Sequence, residues 1–131
     1  MLRLFYALAT FFAVVSFSTL AFAQTAFVEG HVFNKRTGEP LPGATVRVTE
    51  NVTAGPLPVV LAAGTTDANG FYQFEIEEFL GFPATIEVSC ETARREIRGR
   101  SSAVLREGLI RRDVYLATTR RIRRCRPMQT E

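Results

Sequence analysis

Few residues of this 131-residue chain are of types that do chemistry, and they are scattered. His31 is the single histidine, Lys35 the single lysine, and Cys90 and Cys125 are the two cysteines. A serine–histidine–aspartate triad would have to recruit His31. On a strand that points Val28 and Val32 inward, His31 falls on the opposite face, where a solvated side chain is expected. Zinc needs three or four His, Cys or carboxylate ligands brought together, and one His with two distant Cys is a poor start. The segment GTTDANGFYQFEI, Gly64 to Ile76, can be tested as a calcium loop, which wants oxygen ligands at its first, third, fifth and twelfth positions and Gly at the sixth. Counted from Asp67, Gly70 comes two positions early and Phe71 takes the fifth place. The same residues make a good turn. Asn-Gly between two extended runs favours a β-hairpin, because both residues tolerate positive φ, and Asp67 can cap the turn through its side-chain oxygen. Asp67, Asn69 and Gly70 are therefore assigned to a hairpin turn, and no catalytic, cofactor or metal site is expected.

The elements that hold these residues begin after an export signal. "MLR" gives a positive start, the run that follows is uncharged and apolar, and Ala21-Phe22-Ala23 has the small-x-small pattern of a signal peptidase site. Residues 1–23 are read as a signal peptide with Gln24 as the mature N-terminus. The alternative is a retained anchor, since Leu4 to Ala23 is long enough to span a bilayer. Cleavage leaves about 108 residues, enough for one small domain. The mature protein is expected outside the cytoplasm, periplasmic or secreted. There two cysteines can form a disulfide; the spacing leaves open a Cys90–Cys125 bridge or a buried thiol at Cys90 with a loose one at Cys125.

The net charge of +3 hides an uneven distribution. Acidic residues outnumber basic ones from Gln24 to Ala93, whereas arginine dominates from Arg94 and ends in RRIRRCRP, Arg120 to Pro127. Arg120, Arg121, Arg123, Arg124 and Arg126 could contact an anionic surface weakly, with strong salt dependence. The same residues could lie against the acidic body or simply be solvated. No aromatic residue interleaves them as a stacking platform would require, so nucleic acid is not the expected partner.

Short runs of alternating apolar and polar residues fill the mature chain. Phe27–Phe33, Ala44–Glu50, Val59–Thr66, Phe71–Glu77, Ala84–Cys90, Arg95–Arg100 and Leu109–Ala117 are expected strands. Period two points Ala44, Val46 and Val48 inward, with Tyr72, Phe74 and Ile76 on one face, Ile86, Val88 and Cys90 on another, and Val114 and Leu116 inward at the end. Seven short strands with turn signals between them and no convincing helix argue an all-β, antiparallel seven-stranded β-sandwich.

The patterns Val28-x-Gly30-x-Val32, Thr37-Gly38-Glu39-Pro40-Leu41-Pro42-Gly43-Ala44-x-Val46 and Thr66-Asp67-x-Asn69-Gly70-x-Tyr72-x-Phe74 resemble the carboxypeptidase regulatory-like domain, of the transthyretin-like or prealbumin-like group of sandwiches. The resemblance spans Ala26 to about Leu116. It implies a domain at 24–117 followed by a basic tail at 118–131, and a non-catalytic module of the kind attached to peptidases, receptors and surface proteins. It also makes certain chemistries testable. Hydroxyisourate hydrolases of this fold carry several histidines and a Tyr-Arg-Gly-Ser C-terminus, and related dioxygenases hold iron with two His and two Tyr; a lone His31 meets neither pattern. Isopeptide-forming surface sandwiches need a Lys and an Asn on facing strands, whereas Lys35 lies in a turn. The function expected is therefore protein or surface binding or structural support by an exported non-enzymatic module, with an extracytoplasmic protein or cell-surface partner. The alternative is an electrostatic adaptor that docks on anionic surfaces through its Arg-rich tail.

Overall fold

A computed structural model describes residues 24–51 and 58–126. The expected signal peptide at 1–23 and the last residues of the expected tail lie outside the described residues. Eight strands occur among the described residues, in chain order: β1 Ala26–Asn34, β2 Thr45–Glu50, β3 Val60–Thr65, β4 Phe71–Ile76, β5 Pro83–Glu91, β6 Glu96–Val104, β7 Gly108–Arg111 and β8 Val114–Leu116. No helix is present among them. The strands form two four-stranded sheets that enclose one core, consistent with a β-sandwich. One sheet has the order β3-β2-β5-β6 and is antiparallel throughout; the other runs β4-β1-β7, with β8 also paired to β1.

Alternation explains the burial. Along β1 every second residue, Ala26 through Asn34, is buried, and Val46, Val48, Ile86, Val88, Val114 and Leu116 are at most 4% exposed. Each aliphatic side chain removed from water in this way contributes about 1.5–3 kcal/mol relative to exposure. Cys90 lies in the same layer as Ile86 and Val88, as its place on β5 requires.

Three features depart from the sequence reading. The strand expected over Leu109–Ala117 is broken into β7 and β8, which gives eight strands among the described residues where seven are expected. Both halves run parallel to β1, β7 against Ala26–Glu29 and β8 against Val32–Asn34, so this sheet is mixed. At the break the backbone carbonyl of Arg112 turns toward Gly30 of β1, where a Cβ would stand 1.7 Å from that oxygen. The Tyr72 hydroxyl donates to the same carbonyl, and burial together with the charge of Asp113 raises the phenol's pKa well above its ordinary value. The Asp113 carboxylate then accepts the His31 backbone N–H at 2.9 Å, which the interrupted ladder leaves without a strand partner.

The second departure concerns the turn at Asp67–Gly70, which is not a hairpin. β3 pairs with β2 and β4 with β1, so the turn carries the chain from one sheet to the other. A two-residue hairpin of the Asn-Gly type needs positive φ at both central residues. Here Gly70 has φ 71°, and Phe79 is the one non-glycine residue with positive φ among the described residues.

The third is the C-terminal segment. The sequence reading set 118–131 apart as a tail, yet Thr118 and Cys125 are buried and Ile122 packs against the core. The boundary at 117 fails because the partners of this segment are remote in sequence. Cys125 N–H donates to the Pro42 carbonyl, and Arg126 N–H to that of Glu91, at 2.9 and 2.8 Å.

Candidate functional site

The residues singled out by chemistry fall into separate places. At the sheet-to-sheet turn, Asp67 Oδ1 accepts the N–H groups of Asn69 and Phe71 at 2.8 and 3.0 Å, and its own carbonyl accepts that of Gly70. The carboxylate is thus engaged with its own loop. The Gly70 carbonyl accepts from Val32 N–H at 2.9 Å, which ties the turn to β1. Nothing in this arrangement collects oxygen ligands around a cation, and no group of three His, Cys, Asp or Glu among the described residues is placed to hold a metal ion.

His31 sits on the outward face of β1, where its ring stacks on Phe33 at 5.6 Å and tilts against Phe71 at 5.2 Å. Phe33 in turn stacks on Tyr115 of β8 at 5.2 Å. Register explains the row: His31 faces Phe71 across β1 and β4, and Phe33 faces Tyr115 across β1 and β8. Cross-strand aromatic pairs on one face stabilise a sheet. His31 Nδ1 is 3.8 Å from Asp113, whose same oxygen already accepts the backbone N–H of His31. The row leaves Tyr115 58% exposed; Leu109, 65% exposed, faces the same way but lies opposite Phe27, beyond Gln73, Glu29 and Arg111.

Cys90 and Cys125 are bridged, with their Cα atoms 5.0 Å apart. Beside the bridge Glu91 and Arg126 form an isolated backbone pair. Together these contacts hold the β5–β6 turn close to the segment that follows β8. Asn34 supplies a third tie: buried at the end of β1, it donates through Nδ2 to the carbonyls of Thr119 and Ile122 at 3.0 and 3.2 Å, and its Oδ1 accepts Arg36 N–H at 2.9 Å. One side chain therefore satisfies the turn after β1 and the segment after β8 at once.

A groove of about 500 Å³ opens where these three segments meet. Arg36, Arg94, Arg95, Arg120 and Arg121 line it, with Ile97 and Ile122 half-buried between them, and no lining residue is acidic. Among the described residues no carboxylate lies within ion-pair distance of any of the five guanidinium groups. Arg98, on the neighbouring strand, shows the contrast: it pairs with Glu96 at 3.2 Å, and that bond raises its pKa. Of the arginines assigned to anionic contact, the structure brings Arg120 and Arg121 to the groove and leaves Arg123 and Arg124 exposed outside its lining; Arg126 is held by its backbone to Glu91. Arg36, Arg94 and Arg95 were missed. The Arg94-Arg95 doublet stood at the start of the basic half of the chain, but nothing local tied it to residues some 25 positions later.

No family model matches the sequence, and no curated protein matches it. Solved structures superpose on part of it. An (S)-allantoin synthase superposes with a TM-score of 0.52 at 10% identity, over 73% of this chain and 45% of that one. A catechol 1,2-dioxygenase from an Acinetobacter species gives 0.47 at 13% identity, over 76% of this chain and 54% of the other. The dioxygenase domain of a carbohydrate-binding fusion from a cellulolytic Streptomyces gives 0.44 at 14% identity, over 76% and 84%. The likeness to allantoin synthase is one of fold, and this chain spans less than half the length of that protein.

Proposed function

We propose that this chain is an exported, non-catalytic binding module with the prealbumin-like sandwich of carboxypeptidase regulatory-like domains. The motif residues have structural jobs that fit the reading. Gly30 admits the Arg112 carbonyl, Leu41 is fully buried, and Asp67 and Gly70 build the connection between the sheets. Residues 1–23 act as the signal peptide, and the Cys90–Cys125 bridge is compatible with an oxidising compartment. N-terminal sequencing of the protein recovered from cells should begin at Gln24; a chain beginning at Met1 would make the segment an anchor.

The observation that carries the binding role is the outward aromatic row of Phe71, His31, Phe33 and Tyr115, with Tyr115 58% exposed at its end. Apolar side chains that a small domain leaves in water on one face are a typical contact surface for a protein partner. A photo-crosslinking residue placed at Tyr115 should give a discrete adduct in the extracytoplasmic fraction, and Phe33→Asp, beside it in the row, should abolish it. Equal labelling from a crosslinker at Arg47, on the outer face of the other sheet, would remove the basis for this surface.

The second reading, an electrostatic adaptor, is favoured by the groove. Its arginines have no acidic partner among the described residues, although the body of the chain is rich in Glu. Binding of that kind vanishes at moderate salt, and apolar contact through the aromatic row does not.

A further inference from the structure

We propose that the arginine groove binds phosphate groups on the surface of an anionic lipid bilayer and orients the domain upon it. The proposal rests on the adaptor reading and names its ligand. Five guanidinium groups come from three segments, the turn after β1, the β5–β6 turn and the stretch after β8. Gathering like charges in one place raises the free energy of the empty groove and makes an anion its natural complement. Guanidinium forks match the paired oxygens of a phosphate and form two parallel charge-assisted hydrogen bonds, which a point charge cannot do. Between the arginines Ile97 and Ile122 provide an apolar floor, half-buried against the core. An amphiphile that carries phosphate beside an apolar body satisfies both parts; a simple inorganic ion uses the rim alone.

The placement of charge along the strands argues for a surface instead of a dissolved ligand. β1 ends at Asn34 beside the groove, whereas its first residue pairs with Ile76 of β4 and Gly108 of β7. Glu77, Glu78 and Glu107 are therefore placed at the far end of the domain, against one Arg106, roughly 25–30 Å from the groove for a nine-residue strand. Such a separation exceeds the screening length in physiological salt several-fold. At the groove end arginines outnumber the carboxylates of Glu39, Glu91 and Glu96, whereas at the far end carboxylates outnumber Arg106, so a negatively charged plane attracts the first end, repels the second and turns the domain upright. A small dissolved anion has no use for that polarity.

Full-length chain produced with its own leader, and recovered oxidised, should co-sediment with vesicles of phosphatidylcholine containing about one-fifth phosphatidylglycerol and not with phosphatidylcholine alone, with binding at least tenfold weaker in high salt. The combined Arg94→Gln, Arg95→Gln, Arg120→Gln, Arg121→Gln variant should lose at least tenfold in affinity. The combined Arg47→Gln, Arg98→Gln, Arg100→Gln, Arg106→Gln variant, with the same change of net charge, should keep most of it; circular dichroism checks that both stay folded. Equal losses in the two variants would overturn the groove as the site. Soluble pyrophosphate that binds as tightly as the vesicles would replace the lipid surface with a dissolved phosphate and overturn the orientation argument. Heparin-agarose separates the levels of the claim: retention on sulfate as strong as on phosphate vesicles overturns phosphate recognition while the adaptor reading stands. Failure to bind either anionic surface at low salt ends both.

Discussion

The turn at Asp67–Gly70 and the segment from Thr119 to Arg126 are both short, irregular and held by side-chain and backbone hydrogen bonds, but they differ in where their partners lie. Asp67 bonds groups two and four residues away. The C-terminal segment depends on Asn34, more than eighty residues earlier, on Pro42, on Glu91 and on the bridge to Cys90. Local partners can be read from a sequence because spacing alone brings them within reach. Remote partners cannot, since only the completed sheets make them neighbours. The contrast also divides the functional candidates: the turn is a structural joint, whereas the C-terminal segment builds one wall of the arginine groove.

The largest expected effect tests whether that segment belongs to the domain. The Cys90→Ala, Cys125→Ala pair should cost about 4 kcal/mol by loop-closure entropy for a separation of 35 residues. Ending the chain after Thr119 should cost about 2 kcal/mol beyond that, because Ile122 leaves the core and the bonds to Pro42 and Glu91 are lost. Urea unfolding midpoints of the two variants measure the difference. Identical midpoints would return residues 120–126 to the status of a dangling tail.

The next effect concerns the one position where the local turn meets a remote neighbour. A methyl group at Gly70 would lie 2.8 Å from Pro40 Cβ and 2.9 Å from the Val32 carbonyl, on a backbone already at φ 71°. Gly70→Ala should therefore destabilise by about 2–4 kcal/mol, the left-handed conformation and the crowding adding together. A loss below about 1 kcal/mol would mean that β1 and the 40–41 segment give way easily.

Asn34→Ala should follow, at about 1–2 kcal/mol, since it empties a buried position, removes the amide donor to the Ile122 carbonyl and leaves the Thr119 carbonyl with Ile122 N–H alone. Asn34→Asp separates the donors from the acceptor: it keeps the oxygen that Arg36 N–H uses and loses the amide hydrogens. It should be as damaging as the alanine variant, or more so because it buries a charge. Recovery of stability in Asn34→Asp would show that the bond to Arg36, and not the two carbonyls, is what matters.

The same division governs what the sequence made legible. The all-β class and the inward positions Val46, Val48, Ile86, Val88, Val114 and Leu116 followed from period two, a property of each strand by itself. The direction of β7 and β8 did not, because alternation is identical for parallel and antiparallel neighbours. Nor did the break at Arg112, whose carbonyl is received by Gly30, some eighty residues earlier, and by Tyr72, 40 residues earlier. For the groove, Arg120 and Arg121 were visible as a run of charge. Arg36, Arg94 and Arg95 joined them through Asn34 and the disulfide, which carry no mark in the local sequence.

The smallest effect is the sharpest test of the turn. Asn-Gly as a hairpin signal assigns the left-handed conformation to both residues, and on that basis any substitution of Asn69 by a residue that resists positive φ should be costly. The structure assigns that conformation to Gly70 and not to Asn69. What Asn69 contributes to the joint is its backbone N–H, donated to Asp67 Oδ1, and any residue but proline supplies that. Its side chain is exposed and makes no bond to another described residue. Asn69→Ala should therefore change stability by less than about 0.5 kcal/mol, while Gly70→Ala, one position on, loses several times as much. Parallel thermal melts of the two variants would read the asymmetry directly. Comparable losses at both positions would require positive φ at both, and with it the hairpin geometry that the pairing of β3 with β2 and of β4 with β1 replaces.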